Sequence, residues 1–276
     1  MSTTLEARDR PRPWRPTPAI AASIGLHGVA AASLLATPAA WPWALGALAA
    51  NQLVLGACGL LPRTHWIGRN MTRLPQSARE RREIAITVDD GPDPEVTPRL
   101  LDLLDERSCS ATFFCIGERV LAHPDLCREI ARRGHAVENH SMTHTPTFAL
   151  QTLEGYRREV RDAQAAIARA TGSEPRFFRA PMGFRNPLLD PVLHEAGLAL
   201  AAWTRRSYDT KQRDARVVAA RLTRGFAAGD ILLLHDGHAA RTGRGVPVLL
   251  EALPRILDDA ERLALRPVTL RRAVQS

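Results

Sequence analysis

Five short stretches of this chain place chemically able side chains where few other residues would serve. Two carboxylates stand side by side in Asp89-Asp90-Gly91-Pro92, and two imidazoles bracket His140-Ser141-Met142-Thr143-His144. Arg179 opens Arg-Ala-Pro-Met-Gly, Asp209 follows a basic run, and His235-Asp236 ends an apolar one. Taken singly, each has a plainer reading: a turn, a surface histidine pair, a capped core strand, an arginine satisfying a carboxylate. Taken together they describe a metal-assisted acid–base site. The spacing of His140 and His144, one helical turn, lets both rings face one point. A carboxylate added to that pair gives a His₂–carboxylate set, which suits zinc and leaves positions open for water and substrate. Successive strand side chains face opposite ways, so adjacent aspartates cannot both aim at one ion. One of Asp89 and Asp90 is then free to act as a base on the attacking water.

The elements that must position these groups alternate. Seven apolar, β-rich runs occupy 84–88, 111–116, 136–138, 176–179, 198–203, 230–234 and 267–270. Between them, helical patterns cover 97–107, 118–133, 153–170, 187–196, 215–228 and 246–262. Alternation of this kind predicts a parallel sheet with crossover helices, and near-continuous apolar strands predict burial on both faces. Seven βα units over some 195 residues suit an α/β barrel better than an open sheet. In such a barrel the working residues lie at the C-terminal ends of the strands. Asp89-Asp90, His140, Arg179, Asp209 and His235 all fall there.

Thr87-Val88-Asp89-Asp90-Gly91-Pro92, His140-Ser141-Met142-Thr143-His144, Arg179-Ala180-Pro181-Met182-Gly183 and Leu232-Leu233-Leu234-His235 resemble, in order, the motifs of the polysaccharide deacetylases. That family is also called the NodB-homology domain or carbohydrate esterase family four. The resemblance runs from about residue 82 to 270 and implies a distorted (β/α)₇ barrel. It further implies that Asp89 is the catalytic base, with Asp90, His140 and His144 holding Zn²⁺ or another divalent ion such as Co²⁺, Ni²⁺ or Mn²⁺. Arg179 is implied to orient the base and His235 to be the general acid, with Asp209 as its carboxylate partner. Pro181, Met182, Gly183 and Trp203 are expected to line the substrate, a backbone N–H of the Pro181–Gly183 turn facing the oxyanion. The chain departs from the pattern at Thr210, where the family's Asp-Trp pair would put an indole. The implied activity is hydrolysis of an N-acyl group, N-acetyl above all, on an amino sugar in a polysaccharide or glycoconjugate. Two alternatives stand beside it: a deacylase or deformylase of a lipid-linked amino sugar, and a catalytically silent carbohydrate-binding module.

The first third reads differently. No Asp, Glu, Lys or Arg occurs from Pro16 to Pro62, a run of 47 residues, whereas one span needs about 20. Two transmembrane helices, about 19–36 and 43–61, joined by a Pro- and Trp-containing turn, fit that length. The expected organisation is a basic arm over 1–15, a membrane segment over 16–62, a polar linker over 63–82 and a catalytic domain over 83–276. Arginines flank both outer ends (8, 10, 12 and 15; 63, 69 and 73) and none lies in the turn, which predicts a cytoplasmic catalytic domain on a two-span membrane anchor. The net charge of +8 is concentrated on those arms, so it argues for membrane lipid as a partner and against nucleic acid. No protein partner is implied. Four cysteines (58, 109, 115, 127) without framework spacing read as free thiols.

Overall fold

The computed structural model describes residues 13–275. Helices α1 (Pro18–Ala36) and α2 (Trp41–Gly59) form an antiparallel hairpin, followed by the short α3 (Gln76–Glu80). The α/β part then runs β1 (Glu83–Asp89), α4 (Thr97–Glu106), β2 (Thr112–Cys115), α5 (Gly117–Ala122), α6 (Pro124–Arg132), β3 (Ala136–Asn139) and α7 (Leu153–Thr171). It continues through β4 (Phe177–Phe178), α8 (Leu189–Glu195), β5 (Ala199–Leu200), β6 (Arg205–Arg206), α9 (Ala215–Thr223) and β7 (Ile231–His235). It closes with α10 (Val248–Arg262), β8 (Arg266–Pro267) and α11 (Leu270–Ala273). All strand pairs are parallel, in the order β5-β4-β3-β2-β1-β7-β6, with β8 paired to β1 off that path. The seven-stranded path curls into a half-barrel, the distorted α/β barrel expected from the sequence.

Alternation along β1 and β7 decides what faces the inside of the curl. Ile84, Ile86, Val88, Leu232 and Leu234 pack outward among the helices, in one cluster with Leu253 and Ile256 of α10. Ala85, Ile231 and Leu233 pack inward with Phe114 and Trp203. The inward positions at the C-terminal ends are therefore Asp89 and His235, which are direct partners in the ladder. The two groups expected to exchange protons thus stand on one rung, on strands about 4.8 Å apart.

Several expectations change. Predicted helix 118–133 divides at His123-Pro124, because proline lacks an N–H and disfavours helical conformation in the residue before it. Strand β6 has no apolar signal, since both its residues are arginines. Residues 63–82, read as a polar linker, lie against the sheet: Ile67, Leu74 and Ala78 are buried, and Met71 bridges to Ala201 beside β5. All four cysteines are free.

The hairpin corrects the reading of the N-terminal third. Among the described residues, only α1 is both long and apolar enough to cross a membrane. In α2, Asn51 and Gln52 interrupt the apolar run and turn toward α1, Asn51 Nδ2 donating to Ser23 Oγ at 2.8 Å. A single apolar helix near the N-terminus is also what a signal sequence supplies. The two-span anchor and the cytoplasmic placement therefore have no support in the structure, and Arg8, Arg10 and Arg12 lie outside the described residues.

Candidate active site

Asp90, His140 and His144 converge. Asp90 Oδ1 lies 3.3 Å from the Nε2 of each histidine. That oxygen is buried and receives no hydrogen bond, although the residue is only 4% exposed. A buried carboxylate oxygen without a donor is costly unless a cation completes it, so the donor set fits a metal ion. His140 Nδ1 donates to the Arg179 carbonyl at 2.9 Å, which leaves Nε2 as the lone-pair nitrogen facing Asp90. Burial, with the neighbouring His140 assisting, pushes His144 down to about 4, so it is neutral near pH 7, as a ligand must be. Burial opposes ionisation of Asp90, but the imidazoles of His140 and His238 beside it outweigh that penalty and hold the carboxyl well below the usual range.

The two histidines are not on a helix. His140 follows directly on β3, and Ser141 (φ 66°) and His144 (φ 51°) adopt left-handed conformations in a tight loop. Glu159 of α7 clamps that loop by accepting from the N–H groups of Met142 and Thr143 and from Thr143 Oγ1. Asn139 Oδ1 accepts from Ser141 N–H at 2.9 Å. The rings still meet, with centroids 4.9 Å apart, but through a clamped turn rather than helical periodicity.

Beside this trio, Asp89 gives Oδ1 to Arg179 Nη1 at 2.6 Å, and Oδ2 remains 3.8 Å from His140 Nε2. Arg179 is 1% exposed and fully engaged: Nη1 also donates to Thr87 Oγ1, Nε to the Ala201 carbonyl and Nη2 to the Ala202 carbonyl. Across the rung, His235 Nδ1 meets Asp209 Oδ1 at 2.7 Å, and Asp209 Oδ2 accepts from His235 N–H. Burial lowers the His235 imidazole, but Asp209 first, then Asp89 and Asp90, outweigh it and raise the group to about 9.

The expected substrate wall is partly exposed. Pro181–Gly183 form a single 3₁₀ turn, with Met182 at φ 55° and Gly183 at φ 79°. Gly183 N–H donates to the Ala180 carbonyl and Pro181 has none, so Met182 N–H is the donor the turn has to spare. Trp203 is buried, its ring edge against Gly183: a Cβ there would sit 2.7 Å from Trp203 Cη2 and 2.6 Å from Pro62 Cβ.

One participant had no clear signal in the sequence. His238, half-exposed in the loop after β7, places Nδ1 2.9 Å from Asp90 Oδ2. In the sequence, its glycine-bearing basic loop with Arg241 reads either as a holder of phosphate or as a flexible connection to the last helix, not as part of a metal site.

Residues 76–201 match the polysaccharide deacetylase family. The chain is 34% identical over 190 residues to a peptidoglycan N-acetylglucosamine deacetylase of Bacillus cereus, covering 68% of this chain and 85% of that one. It is 32% identical over 157 residues to a chitooligosaccharide deacetylase of a Bradyrhizobium strain, covering 57% and 72%. Among solved structures, the Bc1960 peptidoglycan N-acetylglucosamine deacetylase in complex with a hydroxamate aligns with a TM-score of 0.68 at 27% identity, covering 75% of this chain and 93% of that one.

Proposed function

Because the chain belongs to the polysaccharide deacetylase family, we propose that it is a metal-dependent hydrolase removing the acetyl group from an N-acetylated amino sugar in a glycan polymer. The observation that carries this reading is Asp90 Oδ1, buried without a donor and 3.3 Å from two imidazole nitrogens. Asp90, His140 and His144 would hold a divalent cation, zinc being the best match to the donors, and that ion would supply Lewis-acid chemistry at the amide carbonyl and the attacking water.

The remaining steps belong to side chains. Asp89 has one oxygen neutralised by Arg179 and the other open to the site, so it accepts the water's proton there. Met182 N–H is the backbone donor available to the developing oxyanion. His235, held by Asp209 through Nδ1, keeps Nε2 toward the site and protonates the departing amine, a poor leaving group otherwise.

Treating the purified chain with chelator tests the reading. Release of acetate from chitotetraose should stop and return on adding Zn²⁺. Undiminished turnover in metal-free protein would remove the metal from the reaction, and sugar binding without turnover in every metal would leave a silent carbohydrate-binding module.

A second reading, a lipid-linked amino sugar as substrate, is favoured by two contacts. Pro62, at the root of the helical hairpin, abuts Gly183 of the substrate turn, and Arg185 N–H donates to the Gly59 carbonyl at 3.1 Å. Deacetylation of a polyprenyl-diphosphate N-acetylglucosamine in preference to chitotetraose is the outcome this reading requires.

A further inference from the structure

Arg206 on β6 has no evident structural task. Among the described residues, its side chain makes no ion pair and no hydrogen bond, and its Nε is buried without an acceptor. Its neighbour shows what a structural arginine looks like here: Arg205 pairs with Asp230 at 2.5 Å. Register explains the difference. Arg206 is the ladder partner of Leu233, which packs inside the curl two residues before His235. The guanidinium of Arg206 therefore rises on the inner face, on the strand next to His235, toward the mouth.

It is held there by rings rather than by charge. Its Cζ lies 5.5 Å from the Trp203 ring centroid and 4.9 Å from that of Tyr208. Tyr208 has φ of 58°, a left-handed conformation that is unfavourable for a bulky residue. Aromatic faces fix a guanidinium without neutralising it. Trp203 touches the Gly183 turn, so the unneutralised cation stands beside the expected substrate wall.

We propose that Arg206 is a specificity-determining residue that binds an anionic substituent, carboxylate or phosphate, carried by the amino-sugar substrate. A planar fork with free donors recognises either group by paired hydrogen bonds. This inference rests on the deacetylase reading above and adds a charge requirement to its substrate.

The test compares full-chain wild type with Arg206→Gln and Arg206→Lys on three substrates. These are chitotetraose (neutral), a peptidoglycan disaccharide bearing the lactyl carboxylate, and polyprenyl-diphosphate N-acetylglucosamine. Wild type should prefer at least one anionic substrate over chitotetraose by kcat/KM, with the preference falling as salt rises. Arg206→Gln should reduce that ratio about tenfold or more, mainly through KM, and Arg206→Lys should restore part of it. Whichever anionic substrate loses preference identifies carboxylate or phosphate as the ligand. If Arg206→Gln does not fold, Arg206→Lys still decides, since a ratio unchanged by loss of the planar fork overturns the proposal. A wild-type ratio near one that neither variant shifts also overturns it while leaving deacetylation intact. No turnover of any of the three by wild type would instead sink the deacetylase reading itself.

Discussion

Asp89 and His235 occupy one rung of the sheet, yet their surroundings suit them to opposite tasks. Asp89 is tied to a buried guanidinium and His235 to a buried carboxylate. Asp89→Asn and His235→Ala should each lower kcat on the order of 10²–10⁴-fold, measured as acetate release at saturating substrate. The pH profile follows from His235. As the proposed general acid it donates a proton only while protonated, and its neighbours raise it to about 9, so activity should fall as pH rises through that region. Asp209→Asn removes the strongest opposing charge and lets burial dominate. The alkaline limb should then move to lower pH; a limb that stays in place would take His235 out of the acid's role. The carboxylates, the histidine pair, Arg179 and His235 were legible in the sequence because their chemistry is rare in such short spacings. His238 and Arg206 were not, because each acquires its meaning only when a loop or a strand register brings it to the mouth.

At the level of elements, the order of strands and helices was readable from alternation, while their extents were not. The apolar run 198–203 yields a paired strand of only Ala199–Leu200, since a strongly curled sheet pairs less chain than it buries. Strand β6 escaped because its outward arginine is neutralised by Asp230, a partner 25 residues away. A similar pair secures the other end of the chain. Arg271 of α11 reaches Glu138 Oε1 of β3 at 2.5 Å, and that carboxylate also accepts from Arg176 and Phe177 N–H. Burial raises the Glu138 carboxyl even so. Arg271→Ala strands a buried charge and should cost about 3 kcal/mol, seen as a lower denaturant midpoint with an unchanged slope.

For the molecule as a whole, the sequence separated an apolar third from an α/β remainder but drew the join in the wrong material. Residues 63–82 are packed wall rather than tether, because scattered apolar residues such as Ile67 and Leu74 lack the periodicity that marks an element. The hairpin meets the 183–185 loop just as closely: a Cβ on Gly59 would lie 2.3 Å from the Arg185 carbonyl oxygen. Gly59→Val should therefore force the hairpin root and the 183–185 loop apart, at about 1–3 kcal/mol. Thermal melting of the full chain in detergent should drop accordingly, and an unaltered transition would mean the two parts do not press on one another.

The fourfold grip of Arg179 reaches across three strands, since Thr87 and Asp89 belong to β1 while Ala201 and Ala202 follow β5, and Arg179 itself follows β4. One side chain is thus both the buckle of the crescent and the counter-ion of Asp89, the proposed base. Architecture and the proposed reactivity cannot drift independently here: a substitution that slackens the bend also releases Asp89, and heat should extinguish turnover together with the fold rather than ahead of it.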